Sequence, residues 1–286
     1  MNDAIEPAFG ALAPTAAQEA YRKIAHHLPR NYWGRKFASV LLWLSGARER
    51  RGFDVEIFGG LKARLHPADN ICEKRIYLTP HHWDPEERRL LSEAIRGHKG
   101  GTYYFVDVGA NVGLYFLAAV AAGRAAGVLV RGICIEPDEE VRARLETNLK
   151  VNSLKDEVSV AAVAVGETCG IASFDVNSRS RGQSRLLSDG DQDVQVFPLL
   201  DVVNEAGLKR IDAMKVDIEG HELPALRSFF GNAPDFLRPQ FLFVEVSHDP
   251  TLANFLQSVG YEAIYANSLN AVFVDARRGA IANQKD

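Results

Sequence analysis

The sequence predicts an α/β protein: a mostly parallel, seven-stranded sheet with helices on both faces and an antiparallel hairpin strand at its C-terminal edge. Three observations carry this. Tyr103–Gly113 is an apolar, aromatic and β-branched run containing Asp107, Gly109 and Gly113, and it passes at once into the apolar stretch Leu114–Ala122. That is the pattern of a buried strand, a tight turn and a helix start. Four more strand-like runs follow, Gly127–Ile135, Val158–Val165, Ile211–Ile218 and Phe241–Val246, most of them separated by helical segments, as parallel βα units require. Tyr261–Tyr265 and Ala271–Val274 then pair across Ala266–Asn270, whose Asn-Ser-Leu-Asn is turn chemistry.

Taken in order, residues 1–98 read as a tail, a helical extension and a hairpin/helix lead-in, and residues 99–286 as the ligand-binding domain. Met1–Ala17 is Ala- and Pro-rich, lacks the features of a signal peptide, and reads as a loose tail. Arg22–Arg51 is basic around the apolar run Phe37–Leu44, which is too short to span a bilayer. The preferred reading is a helix packed on the main domain; the alternative is a helix resting on a membrane surface. Phe53–Phe58 and Leu61–Leu65 alternate across Gly59-Gly60 as a hairpin, and Asp84-Pro85-Glu86-Glu87 supplies a cap, a first-turn proline and acids for a helix to Arg96. His81, His82 and Trp83, just before it, are weighed as substrate contacts against solvated turn residues.

Composition is that of an ordinary globular chain, with 47% apolar and 24% charged residues. The net charge of −4 calls for no nucleic-acid partner. Cys72, Cys134 and Cys169 are widely spaced and have no metal-ligand pattern, so the expected setting is a reducing one, the cytoplasm.

Ligand chemistry enters at the strand ends. Asp107 precedes Gly-Ala-Asn-Val-Gly, without the middle glycine that a pyrophosphate needs for close approach. An acid at this position suits a ligand with a cationic group and no phosphate, such as S-adenosylmethionine (SAM). The second strand ends on Glu136-Pro137, where a ribose-binding carboxylate is expected. In Asp138–Val151, Val141, Leu145 and Leu149 recur at helical spacing. Ile171–Val176 and Val194–Phe197 bracket a polar loop in which Arg179, Arg181 and Arg185 read either as a clamp for an anionic substrate group or as solvated charge. The fourth strand ends in Lys215, Asp217, Glu219, Gly220, His221 and Glu222, and alternation places Lys215, Asp217 and Glu219 on one face. Pro224 starts a helix, and the fifth strand ends in Glu245, Ser247 and His248. Four strands thus deliver carboxylates to the edge at which open α/β sheets bind ligands.

On Phe105-Val-Asp-Val-Gly-Ala-Asn-Val-Gly113, Cys134-Ile-Glu-Pro137 and Met214-Lys-Val-Asp-Ile-Glu-Gly-His-Glu222, the chain resembles the FkbM family of SAM-dependent methyltransferases over roughly Ile71 to Val274. Residues 1–50 lie outside the resemblance, and Ser178–Arg185 departs from the Gly-Gly-Ser type of loop. The resemblance implies the Rossmann-like class I SAM-dependent methyltransferase fold and methyl transfer to a hydroxyl oxygen of a small-molecule, sugar or lipid acceptor. It implies that Asp107, Gly109, Ala110, Asn111 and Gly113 hold the methionine end of SAM and Glu136 its ribose. Asp217, Glu219, His221 and Glu245 are then the candidates for orienting and deprotonating the acceptor. Asp217 and Glu245 could instead hold Mg²⁺; the metal-free reading is preferred. An NAD(P)-dependent oxidoreductase and a non-catalytic binding protein of the same fold are the alternatives.

Overall fold

The structure, a computed structural model, describes residues 6–175, 185–187 and 192–277. It begins with α1 (Ala16–Ala25) and α2 (Tyr32–Leu44), the hairpin β1 (Phe53–Ile57) and β2 (Leu61–Leu65), then α3 (Ile71–Leu78) and α4 (Pro85–Arg96). The sheet domain follows as β3 (Thr102–Val108), α5 (Leu114–Ala126), β4 (Leu129–Ile135), α6 (Glu139–Val151) and β5 (Val158–Ala161). After β6 (Ala164–Gly166), β7 (Gly170–Asp175), β8 (Arg185–Leu187) and β9 (Gln192–Pro198) come α7 (Leu199–Glu205), β10 (Ala213–Val216) and α8 (Glu222–Asn232). The chain finishes in β11 (Phe241–Glu245), α9 (Leu252–Ser258), β12 (Tyr261–Ala266) and β13 (Asn270–Asp275).

The main sheet has seven strands in the order β12-β13-β11-β10-β3-β4-β5. β3, β4, β5, β10 and β11 run parallel, and β13 is antiparallel to both of its neighbours, as the C-terminal hairpin predicts. The fold is that of the class I methyltransferases. Strand order reverses at β3, which leaves a crevice beyond the carboxyl ends of β3 and β10. Alternation along β3 sends Phe105 into the apolar cluster on one face and Val106 and Val108 into the cluster on the other. The Phe105 cluster also takes in Phe53, Leu65 and Tyr77 of the lead-in, so residues on both sides of position 98 share a core.

Polar ties reinforce that shared core. Asn148 of α6 is fully buried; its Oδ1 accepts from the Arg64 amide of β2 at 2.8 Å, and its Nδ2 donates to the Val112 carbonyl at 3.0 Å. Arg144, one turn earlier, reaches Glu73 of α3 at 3.2 Å and Asp69 at 2.9 Å.

Several local expectations are corrected. The tail is pinned from Glu6 onward: the Gly10 and Leu12 amides donate to Asp54 Oδ2 at 2.7 and 3.0 Å, and Thr15 caps α1 through a capping box with Gln18. Packing of the basic segment holds for one side of α2 only. Leu41 is buried, and Ala38, Leu42 and Leu44 pack on the core, whereas Trp33, Phe37, Val40 and Trp43 face solvent. Val158–Val165 is two strands, because the chain leaves the main sheet after Ala161 and β6 joins a second sheet of order β6-β9-β7-β8. Asp84 makes no capping hydrogen bond and has left-handed backbone, φ 39°. α8 starts at Glu222, so Pro224 is its third residue, still in the first turn where a missing N–H costs no helix bond. No helix among the described residues is long and apolar enough to cross a membrane.

Candidate active site

A cleft opens at the carboxyl ends of β3, β4 and β10, where open α/β sheets bind ligands. One wall is the turn after β3. Gly109 has φ 75°, and a β-carbon there would fall 1.9 Å from the Asp217 carbonyl oxygen. The glycine is therefore required by the close approach of two strand ends, in addition to any approach of a ligand. Asn111 is also left-handed, φ 52°, and its Oδ1 accepts from the Val112 amide at 2.8 Å and from Asn70 Nδ2 at 2.7 Å.

Glu136 sits at the end of β4, nearly buried. Its carboxylate accepts from the Asn111 amide at 2.8 Å and the Asp138 amide at 3.0 Å. Burial pushes its carboxyl up to about 7 in spite of those donors. Ile135, Pro137, Val163 and Val165 line the cleft beside it and give an apolar shelf next to the acid.

The end of β10, the strand paired with β3 on its other side, also lines the cleft. Lys215 Nζ lies 2.8 Å from Asp217 Oδ2 and 4.8 Å from the Tyr115 ring centroid. Burial works against the ammonium, but Asp217 and Asp107 outweigh it and hold Lys215 above the usual lysine range. Burial likewise opposes the Asp217 carboxylate, and Lys215 keeps it below the usual aspartate range. Glu219 is in a left-handed turn, φ 52°, since the strand itself stops at Val216, so regular alternation does not extend to it. Burial and the neighbouring Asp217 raise its carboxyl. Glu222, fully buried, accepts from the Ile218 and Gly220 amides and fixes this turn.

Of the predicted cofactor residues, Gly109, Ala110, Asn111 and Glu136 line the cleft, while Asp107 and Gly113 do not. Asp107 is wholly buried, and burial raises its carboxyl to about 6 while Lys215 pulls it the other way. Gly113 caps α5 at φ 82°, where a β-carbon would meet Leu145 at 2.4 Å. Of the predicted catalytic residues, Asp217, Glu219 and His221 line the cleft, His221 as the N-cap residue of α8. Glu245 lines a smaller pocket that shares Tyr115, Lys215 and Asp217 with the cleft. Burial and Asp217 push its carboxyl up to about 7.

Sequence reasoning took Asp84 as a helix cap and Lys215 as one of the charged residues ending its strand, gave neither a part in the chemistry and passed over Tyr115; all three line the cleft. The Tyr115 hydroxyl donates to Asp84 Oδ2 at 2.8 Å. Trp83 lines the cleft too, but His81 and His82 turn away to the Leu28 carbonyl, at 2.8 and 3.2 Å. Arg179 and Arg181 lie outside the described residues, and of Arg185 only the backbone, in β8, is described. His248 Nε2 lies 3.4 Å from both Glu219 Oε2 and Glu245 Oε2, and one ligand atom from each of the three falls within a 4.8 Å cluster. The carboxylates brought together as candidate metal ligands are thus Glu219 and Glu245, with Asp217 engaged by Lys215.

Residues 107–263, from Asp107 of β3 to Ala263 of β12, match the methyltransferase FkbM domain. The chain belongs to the FkbM methyltransferase family. Among solved structures it is similar to a methyltransferase FkbM from Methylobacillus flagellatus, at 16% identity and TM-score 0.45 over 90% of this chain and 58% of that one. The chain therefore spans little more than half the length of that protein. It is also similar to the METTL16 methyltransferase domain (13% identity, TM-score 0.47, 89% of this chain and 87% of that one). An O-methyltransferase from Bacillus cereus in complex with SAH is similar at 14% identity and TM-score 0.40 (68% and 83%). No curated protein matches the chain. Within the FkbM domain the turn around Gly109 and the segment around Asp217, which end the paired strands β3 and β10, both line the cleft.

Proposed function

We propose that this FkbM domain methylates a hydroxyl oxygen of a small-molecule, sugar or lipid acceptor, with SAM as the methyl donor. The observation that carries the reading is a single cleft with an amide-held acid, Glu136, at one end and an ion-paired acid, Asp217, at the other. The donor set fits SAM: a carboxylate with free lone pairs for ribose hydroxyls, an apolar shelf for a purine, and acids but no phosphate-binding arginine on the described walls. SAM, when bound, supplies a methyl group already activated on a sulfonium.

The protein then has to orient an acceptor and remove one proton. Asp217 accepts the proton that the acceptor's hydroxyl loses on taking the methyl group that bound SAM would supply. Lys215 keeps Asp217 ionised until that moment, and its ammonium stabilises the negative charge on the oxygen. Glu219 and His221 border the acceptor's position, and Glu245 acts on Asp217 from the next strand end.

A second reading has a specific observation behind it: Glu219, Glu245 and His248 could hold a divalent cation that acidifies the hydroxyl. An imidazole in the set suits Mn²⁺ or Zn²⁺ better than Mg²⁺. The free state of Cys72, Cys134 and Cys169 supports a cytoplasmic setting.

The test is incubation of the protein and methyl-labelled SAM with small-molecule and lipid extracts, followed by mass spectrometry. The reading expects label on oxygen. Thermal stabilisation by NAD and not by SAM would overturn it in favour of an oxidoreductase.

A further inference from the structure

α2 carries apolar side chains on two sides. One side is absorbed by the core through Leu41 and its neighbours. The other presents Trp33, Phe37, Val40 and Trp43, spaced by four, three and three residues and therefore aligned in one stripe. They are 64%, 60%, 58% and 70% exposed. Scattered exposed hydrophobics are ordinary, but a contiguous aromatic stripe marks a contact surface.

The charge around the stripe identifies what covers it. Arg22–Arg51 holds eight Lys or Arg residues and one acid, Glu49, in a chain whose net charge is −4. Lys23, Arg30, Lys36, Arg48 and Arg50 are exposed, and Lys36 lies on the side of α2 that carries the stripe. A second copy of this chain laid on the stripe would bring like charges together. An anionic lipid surface instead pairs with them, and the tryptophans suit the boundary between head groups and acyl chains. Lys36 can extend its ammonium to a phosphate while its stem lies along the apolar side. Thirteen residues are too few to cross the bilayer, so the helix would lie in its plane.

We propose that α2 docks this protein onto the surface of an anionic lipid bilayer through Trp33, Phe37, Val40 and Trp43. The contact also bears on the cleft. Arg30 donates to the His81 carbonyl, and His81 and His82 reach Leu28, so the chain leaving α1 is fastened to the segment that continues into Trp83 and Asp84 on the cleft wall. The inference is independent of the methyl-transfer reading.

The experiment uses the full chain with vesicles of phosphatidylcholine alone or mixed with phosphatidylglycerol. Two of the three tryptophans, Trp33 and Trp43, are on the stripe, and the third, Trp83, is buried. Tryptophan emission should shift to the blue and be quenched by brominated acyl chains. Co-sedimentation should be stronger with the mixed vesicles and weaken as salt is raised. Phe37→Glu combined with Val40→Glu should lower vesicle affinity roughly tenfold or more with an unchanged melting temperature, since both side chains are exposed. Failure of the wild-type chain to bind either vesicle would overturn the proposal. So would a concentration-dependent dimer that this double variant disperses.

Discussion

Lys215 Nζ and Asp217 Oδ2 lie 2.8 Å apart at the end of β10, beneath the ring of Tyr115, and the cation also feels the buried Asp107. The pair keeps one carboxylate charged at the cleft wall. Asp217→Asn preserves shape and removes that charge, while Asp107 remains to compensate Lys215. Turnover should fall roughly a hundredfold to ten-thousandfold, with SAM affinity by calorimetry essentially unchanged. Near-full turnover in the variant would exclude Asp217 as the base.

Glu136 titrates near 7 because it is buried. Ribose hydroxyls donate to the ionised form, so SAM binding should expel a proton and tighten as pH rises from about 6 to about 8. Glu136→Gln should flatten this dependence and weaken binding by about 1.5–3 kcal/mol, the loss of a charge-assisted hydrogen bond. Isothermal titration in buffers of different ionisation enthalpy reports both.

The same shifts set the stability of the ligand-free chain. Glu136 and Glu245, raised to about 7 from 4.5, and Asp107, raised to about 6 from 3.8, hold protons in the folded state that the unfolded chain has shed. Between those values the native state binds more protons, so stability decreases as pH rises through the window. Thermal melts without SAM should show a falling midpoint across it. A midpoint that rises there would contradict the burial of these acids.

Gly109→Ala places a methyl group against the Asp217 carbonyl in a left-handed turn. The expected cost is about 3 kcal/mol or more. Gly59→Ala, also left-handed but with open space around it, should cost only ~1 kcal/mol. Chemical denaturation of the two variants separates a collision from backbone preference alone.

The cation reading is decided by chelation. If Glu219, Glu245 and His248 hold a metal, EDTA should abolish transfer, Mn²⁺ should restore it, and His248→Ala should raise the Mn²⁺ concentration needed at least tenfold. Indifference to EDTA leaves the proton to Asp217.

Regular periodicity made the strands of the sheet legible, because Phe105, Val106 and Val108 must alternate between two cores. The acids at strand ends were legible for the same reason: a charge closing an apolar run is costly without a purpose. Contacts set by chain crossing were not. Tyr115 meets Asp84 only because α5 is brought against the start of α4, and Glu219 joins His248 only because a left-handed turn interrupts the alternation. Gly109 was legible as a turn, but its partner, the Asp217 carbonyl, lies more than a hundred residues away.

Asn148, held between the Arg64 amide and the Val112 carbonyl, makes the lead-in hairpin and the glycine turn depend on one side chain. Opening of the Arg64 amide in β2 is then expected to be coupled to opening of the turn that faces the cleft. In native-state hydrogen exchange, the Arg64 amide should be protected as strongly as the amides of β3, and Asn148→Ala should release both segments in the same cooperative step. Position 98 separates sequence patterns, yet the chain should come apart across it as one foldon, so that events on the hairpin are felt as a change in how often the binding turn is open.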